Sequence, residues 1–180
     1  METNTETRTE AAADTTATLG KAAALAAFGG ATAATAALGT LGMGDGPRSV
    51  WYLTLRKPPF QPPAAVFAPV WTALYSAIAY SGYRTYRAAP SPRRTAALAL
   101  WGAQLVLNGL WTPLFFGQRR ARASLVDSTL LLGTAAGYAT TAAKVDRKAA
   151  WTFVPYIGWL AFATLLNSEI VRRNRKRPWF

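Results

Sequence analysis

The sequence predicts an all-α protein, a membrane bundle of five transmembrane helices. Three observations carry that prediction. Charged residues make up only 16% of the chain, against about 25% in soluble domains. Five stretches of about 20 residues run almost without charge, the length that crosses a bilayer core of about 30 Å. The lysines and arginines sit at the ends of those stretches, where they meet lipid head groups. Mean hydropathy is only +0.10, because much of the apolar fraction is alanine and residues 1–18 are polar.

A formal charge of +12 on a soluble protein would point to nucleic acid. Here the basic residues flank apolar segments and form no stripe, so the expected partner is the lipid bilayer and not nucleic acid. There is no Cys and no His. That removes disulfides, thiol nucleophiles, imidazole acid–base catalysis and the usual zinc sites, and a haem iron would lack its commonest axial ligands. Neither a metal site nor a cofactor is expected.

Residues 1–18, rich in Thr, Glu and Ala, have no apolar face and read as a disordered tail. Their acidic start fits neither a secretory signal nor a transit peptide. Residues 19–171 make the membrane domain. The first span, 22–41, is almost all Ala, Gly, Thr and Leu, marginal alone but able to pack closely. Gly42, Gly44, Gly46 and Pro47 end it. The connection from Met43 to Pro63 is too long for a tight turn and should have a structural or functional job. Pro58, Pro59, Pro62 and Pro63 fix φ and push their neighbours out of the α region, so residues 56–63 are expected to be an ordered, non-helical loop.

The second span, 64–86, starts after Pro63, and Pro69 should loosen it. Phe67, Trp71, Leu74, Tyr75 and Ile78 fall on one helical face. Tyr80, Tyr83, Tyr86, Arg84 and Arg87 mark a head-group interface. In the third span, 95–116, Ala99, Gly102 and Ala103 form a small-residue patch that suggests a homodimer through this helix. Trp101, Gln104, Asn108 and Trp111 share a face that is costly towards lipid and should point into protein or a cavity. The fourth span, 123–143, carries Asp127 about one turn inside. That carboxylate is either a helix-start anion favoured by the dipole, a structural hydrogen-bonding group, or a functional residue that demands a partner. The fifth span, 149–171, sets Tyr156, Trp159, Ala163 and Leu166 on one face with Asn167 beside them. Residues 172–180 form a basic tail for an anionic leaflet, with Trp179 and Phe180 dipping into the interface. Five spans put the termini on opposite sides, and the Lys/Arg distribution leans slightly to a cytoplasmic C-terminus. High Ala and Gly without an organelle signal point to a bacterial cell membrane.

Two motifs in the central stretch are specific. Residues 51–63 read W-Y-x-x-L-x-K-P-P-F-x-P-P, and residues 67–76 read F-x-P-V-W-x-x-L-Y-S. With Gln104 to Asn108, Trp111 to Gly117, Leu125 to Asp127, Pro155-Tyr156 and Trp159 to Asn167, this pattern resembles the translocator protein (TspO/MBR) family, the tryptophan-rich sensory proteins, over roughly residues 50–171. The resemblance implies a five-helix membrane protein that binds porphyrins and haem-related tetrapyrroles beneath its first loop, as ligands and not as cofactors. By motif it places Trp71, Tyr75, Asn108, Trp111, Phe116, Trp159, Ala163 and Leu166 at the site. Animal members also bind cholesterol, but Ser168 stands where their consensus has Tyr, so sterol binding is not expected. Ala123 stands where the fourth helix often carries Trp, which leaves that edge more open.

Residue chemistry alone leaves two readings of these side chains. Phe67, Trp71, Tyr75, Asn108, Trp111, Trp159, Ala163 and Leu166 could wall a small-molecule pocket, with Trp51 and the cations Arg56 and Lys57 over its mouth. Alternatively the aromatics simply pack the bundle. The resemblance favours a receptor or carrier with a sensing or regulatory role. Its alternative is a light-dependent porphyrin-degrading enzyme, in which Trp71 and Trp159 would carry the chemistry.

Overall fold

The computed structural model describes the backbone of residues 3–177 and the side chains of residues 19–177. Trp179 and Phe180, expected at the interface, lie outside the described residues. Helix α1 spans Thr3–Leu41, so the backbone is helical through residues 3–18, where composition suggested a disordered tail. Alanine is the strongest intrinsic helix former and Glu and Arg follow closely. Such a segment needs an apolar face to dock, not to coil.

The connection that follows holds a 3₁₀ turn, Gly46–Arg48, and a short helix, α2, Val50–Thr54. At five residues, α2 is too short to show a helical period in the sequence. Ser49 caps it, accepting a hydrogen bond from Tyr52 N–H at 3.2 Å, and burial of Trp51 and Leu55 holds it down. Residues 56–63 are non-helical, as the four prolines require.

Four long helices complete the chain: α3, Ala64–Arg87; α4, Pro92–Thr112; α5, Ala121–Ala142; and α6, Arg147–Asn174. The N-terminus of α4 has Pro92 in its first turn and Ser91 as cap, accepting from Arg94 N–H at 3.1 Å. Asp146 caps α6 by accepting from Lys148 and Ala149 N–H at 2.8 and 3.0 Å. At its far end α4 passes into a π-helical turn, Pro113–Gly117. Pro113 has no N–H to donate, and its own carbonyl is taken by Gln118 at 2.8 Å, one residue beyond α spacing. By length and composition, Leu19–Arg48, α3 and α6 can cross a membrane. Helices α4 and α5 are long enough, at 21 and 22 residues, but their polar inward faces lower their hydropathy.

The long helices close into a ring in the order α1, α3, α6, α5, α4 and back to α1. Side-chain pairings fix their directions. Phe28 meets Trp101 and Gly39 meets Thr112, so α1 and α4 run parallel. Ser81 meets Ala149 while Trp71 meets Trp159, so α3 and α6 run antiparallel. Glycine permits two of the closest approaches. A Cβ on Gly82 would lie 2.5 Å from the Trp101 indole, whose Nε1–H donates to the Ile78 carbonyl at 2.9 Å. A Cβ on Gly117 would lie 2.5 Å from the Gly42 carbonyl oxygen, so the end of α1 and the π turn touch backbone to backbone.

Candidate functional site

The inward face of α3 follows the spacing expected. Leu74 and Ile78 are buried in the core, while Phe67, Trp71 and Tyr75 are half-buried beside it. Across from them stand Tyr156 and Trp159 of α6. Phe67 and Trp159 pack edge to face at 5.7 Å, Trp71 and Trp159 at 6.5 Å, and Trp71 and Tyr156 at 6.2 Å. Tyr75 lies 5.2 Å from Trp71. Tilted and edge-on arrangements suit the ring quadrupoles, and here they join two helices into one aromatic wall.

Below the rings lies a chain of hydrogen bonds. The Tyr75 hydroxyl donates to Asn108 Oδ1 at 2.9 Å. Asn108 Nδ2 donates to the Tyr156 hydroxyl at 2.9 Å, which donates in turn to Gln104 Oε1 at 3.0 Å. Asn108 is therefore held by two phenols, its orientation set by α3 and α6 together. Gln104 Nε2 and Trp159 Nε1 are buried without a protein hydrogen-bond partner.

A second aromatic group sits nearer the first loop. Trp51 packs on Phe115 at 5.4 Å, and Trp111 stacks on Phe115 at 5.0 Å with an interplanar angle of 8°. Phe116 lies 6.0 Å from Trp111 and 5.1 Å from Tyr52. Leu55, Leu166 and Ile170 complete this cluster, and Phe67 packs against it. Phe67 thus belongs to both groups. Gln61 Nε2 donates to the Tyr52 hydroxyl at 3.0 Å, and Lys57 Nζ sits 4.1 Å over the Tyr52 ring. Burial pushes the Tyr52 phenol up from its ordinary pKa, and the Gln61 hydrogen bond partly opposes that.

The expected site residues therefore fall into two touching layers. Phe67, Trp71, Tyr75, Asn108 and Trp159 form the inner one, and Trp51, Trp111, Phe116 and Leu166 the outer one. Ala163 is half-buried on α6 between Trp159 and Leu166. The π turn alters one expectation: Phe115, 1% exposed, is the phenylalanine at the heart of the outer layer, and Phe116 stands beside it. Sequence reasoning set Tyr156 on the right face without placing it in the site, and missed Phe162, whose ring lies 5.5 Å from Trp159. An open depression of about 460 Å³ borders the outer layer at Trp51 and is lined otherwise by Asp45, Val50, Thr54 and Arg119.

Asp127 is 6% exposed and its Oδ2 has no protein hydrogen-bond partner. Because α5 begins at Ala121, Asp127 lies beyond the first turn, where the dipole is weak. Neighbouring Ser124 is bonded by Asn167 Nδ2 at 3.1 Å.

The molecule thus combines a ring of five long helices, an aromatic double layer and a proline loop above it. Comparison with protein families matches residues 22–173 to the TspO/MBR family. The chain belongs to that family. It is 41% identical to the translocator protein of Bos taurus over 129 residues, covering 71% of this chain and 76% of the relative. It is 38% identical to the tryptophan-rich sensory protein of Cereibacter sphaeroides over 128 residues, covering 71% and 79%. It is 33% identical to the tryptophan-rich protein TspO of Chlorobaculum tepidum over 129 residues, covering 71% and 82%. As a TspO/MBR protein it is an integral, multi-pass membrane protein, and its bacterial relatives support the bacterial membrane expected from the sequence.

Proposed function

We propose that this protein is a membrane receptor or carrier that binds porphyrins and related tetrapyrroles between α3, α4 and α6, beneath its first loop, with a sensing or regulatory role. The observation that carries this reading is the inner layer. Phe67, Trp71, Tyr75 and Trp159 present contiguous ring faces next to Asn108, whose two hydrogen bonds hold it in place. A flat conjugated ligand parts Trp71 from Trp159 and replaces their edge contact by stacking. Arg56 and Lys57 on the loop suit its carboxylates. Without His or Cys, affinity comes from stacking and hydrogen bonds and not from axial ligation. The names of the relatives, translocator and sensory protein, favour a role through binding. Ala99 and Ala103 are exposed on the outer face of α4, and we place a homodimer contact there.

Titration of the detergent-solubilised protein with protoporphyrin in the dark tests the reading. Saturable quenching of tryptophan fluorescence is expected, weakened about tenfold or more by Trp71→Ala with Trp159→Ala, since each stacked ring is worth about 1 kcal/mol. Undiminished quenching in the double variant would remove the site. The contact between Trp71 and Trp159 also favours the second reading, light-dependent porphyrin breakdown. Illumination that leaves the bound absorbance unchanged would eliminate it.

A further inference from the structure

The first loop is fastened to the end of α6 by a single buried side chain that binds both backbone groups of one loop residue. Asn174 is 0% exposed. Its Oδ1 accepts from Arg56 N–H at 3.0 Å, and its Nδ2 donates to the Arg56 carbonyl at 3.0 Å. The same nitrogen donates to the Ile170 carbonyl at 2.8 Å, which fixes the rotamer. A primary amide carries one acceptor and two donor hydrogens, and this one has all of them engaged. Two residues before Arg56, the Thr54 carbonyl accepts from Arg177 Nη1. Between them Leu55 is buried against Leu166 and Ile170.

The loop needs such a partner. Pro58, Pro59, Pro62 and Pro63 supply no N–H, so residues 56–63 cannot close their own hydrogen bonds as a helix does. Buried backbone groups without partners are costly, and the amide of Asn174 answers that at the point where the loop crosses α6. The ring contacts under the loop, Trp51 on Phe115 and Phe60 on Phe162 at 6.3 Å, are apolar and therefore non-directional.

We propose that Asn174 is a positioning residue that sets how fast a ligand enters and leaves the aromatic site, by clasping the first loop shut at Arg56. The kinetic half of this inference rests on the ligand-binding reading above; the clasp itself does not. Asn174 bonds the loop and its own helix, and none of its bonds reaches Phe67, Trp71, Tyr75 or Trp159. Loosening it raises the open population of the empty and the occupied protein alike, so entry and exit accelerate together while affinity stays nearly constant.

The absence of cysteine makes the test direct. Spin labels on Phe60→Cys and Lys176→Cys, in lipid nanodiscs, report the distance between loop and helix end. The otherwise unaltered chain is expected to give a narrow distribution, and Asn174→Ala a longer, broader one. Asn174→Asp still accepts from Arg56 N–H but cannot, when charged, donate to its carbonyl, and is expected in between. Stopped-flow mixing with protoporphyrin should show both rates raised about tenfold in Asn174→Ala with the dissociation constant within about threefold. A narrow distribution in Asn174→Ala overturns the clasp. A broadened distribution with unchanged exchange rates overturns the gating role. Failure of the parent protein to bind protoporphyrin sinks the ligand reading instead, and the label distances still decide the clasp. If Asn174→Ala does not fold, Asn174→Asp and Arg177→Ala carry the same two measurements.

Discussion

At the end of the ring where α3 turns into α4, the Tyr138 hydroxyl of α5 meets Ser81 at 2.7 Å and Thr85 at 2.8 Å, both on α3, and Ser81 donates to the Ala149 carbonyl of α6 at 2.8 Å. Arg84 and Asp146 close the same end with a 2.8 Å ion pair. At the opposite end, the buried bond from Asn167 to Ser124, at 3.1 Å, joins α6 to α5 alone. Rings of Trp51, Trp111, Phe115 and Phe116 fill the space, and the chain between α1 and α3 lies over them, tied by Asn174. The first end is built as a floor, because its hydrogen bonds join helices that must stay where they are. The second is built as a cover, because apolar contacts tolerate sliding and its directional bonds are scattered side-chain ones, from Asn174, Arg177 and Gln61.

This contrast predicts that substitutions at the floor lower stability, while substitutions at the cover leave it nearly unchanged. The largest effect is expected for Gly82→Leu. Its side chain must enter space held by the Trp101 indole and by Phe28, and overpacking of this kind costs about 3 kcal/mol. A melting curve in detergent should show a fall of several degrees; an unshifted midpoint would mean that α1, α3 and α4 are not packed as described.

Tyr138→Phe comes next. It leaves Ser81 and Thr85 with their backbone partners, the Ala149 and Ser81 carbonyls, so the expected loss is about 1 kcal/mol, the usual worth of such bonds within a membrane. A loss above 3 kcal/mol would show that the network acts as one unit.

The Arg84–Asp146 pair should contribute about 1 kcal/mol, as partly exposed pairs do. Burial alone would raise the Asp146 carboxyl; the Arg84 guanidinium and the N–H groups of Ala149 and Lys148 outweigh it and hold its pKa below the ordinary value. A depressed carboxylate pKa stabilises the fold above the ordinary aspartate pKa, and the contribution disappears as pH falls through the depressed one. Arg84→Gln should therefore flatten the acid limb of the stability profile without altering it at neutral pH beyond that 1 kcal/mol.

The smallest effect belongs to the cover. Gln61→Ala removes the bond to Tyr52 at the loop surface and is expected to shift stability by less than about 0.5 kcal/mol. A shift comparable to that of Tyr138→Phe would erase the distinction between the two ends.

Several features were legible in the chain because they depend on local pattern. Phe67, Trp71, Leu74, Tyr75 and Ile78 face inward because helical periodicity puts them there. Trp101, Gln104 and Asn108 are buried as their shared face required. Other features had no local signature. The helix α2 is too short for a period. The π turn that buries Phe115 beside the half-buried Phe116 starts at Pro113 and touches Gly42. The bond between Asn174 and Arg56 spans 118 positions.

By itself the sequence determined that five apolar segments form helices, where prolines and glycines break them, and which aromatic residues lie on each inward face. Those are consequences of backbone dihedrals, hydrogen-bond spacing and the cost of polar groups in lipid, and each acts over a few residues. Only the tertiary structure decided that α3 and α6 are neighbours in the ring, that Asn108 is shared between Tyr75 and Tyr156, and that the loop is held by the far end of the chain. Contacts of that kind depend on how ridges, small residues and rings from distant segments fit together, and no short window of sequence contains both partners.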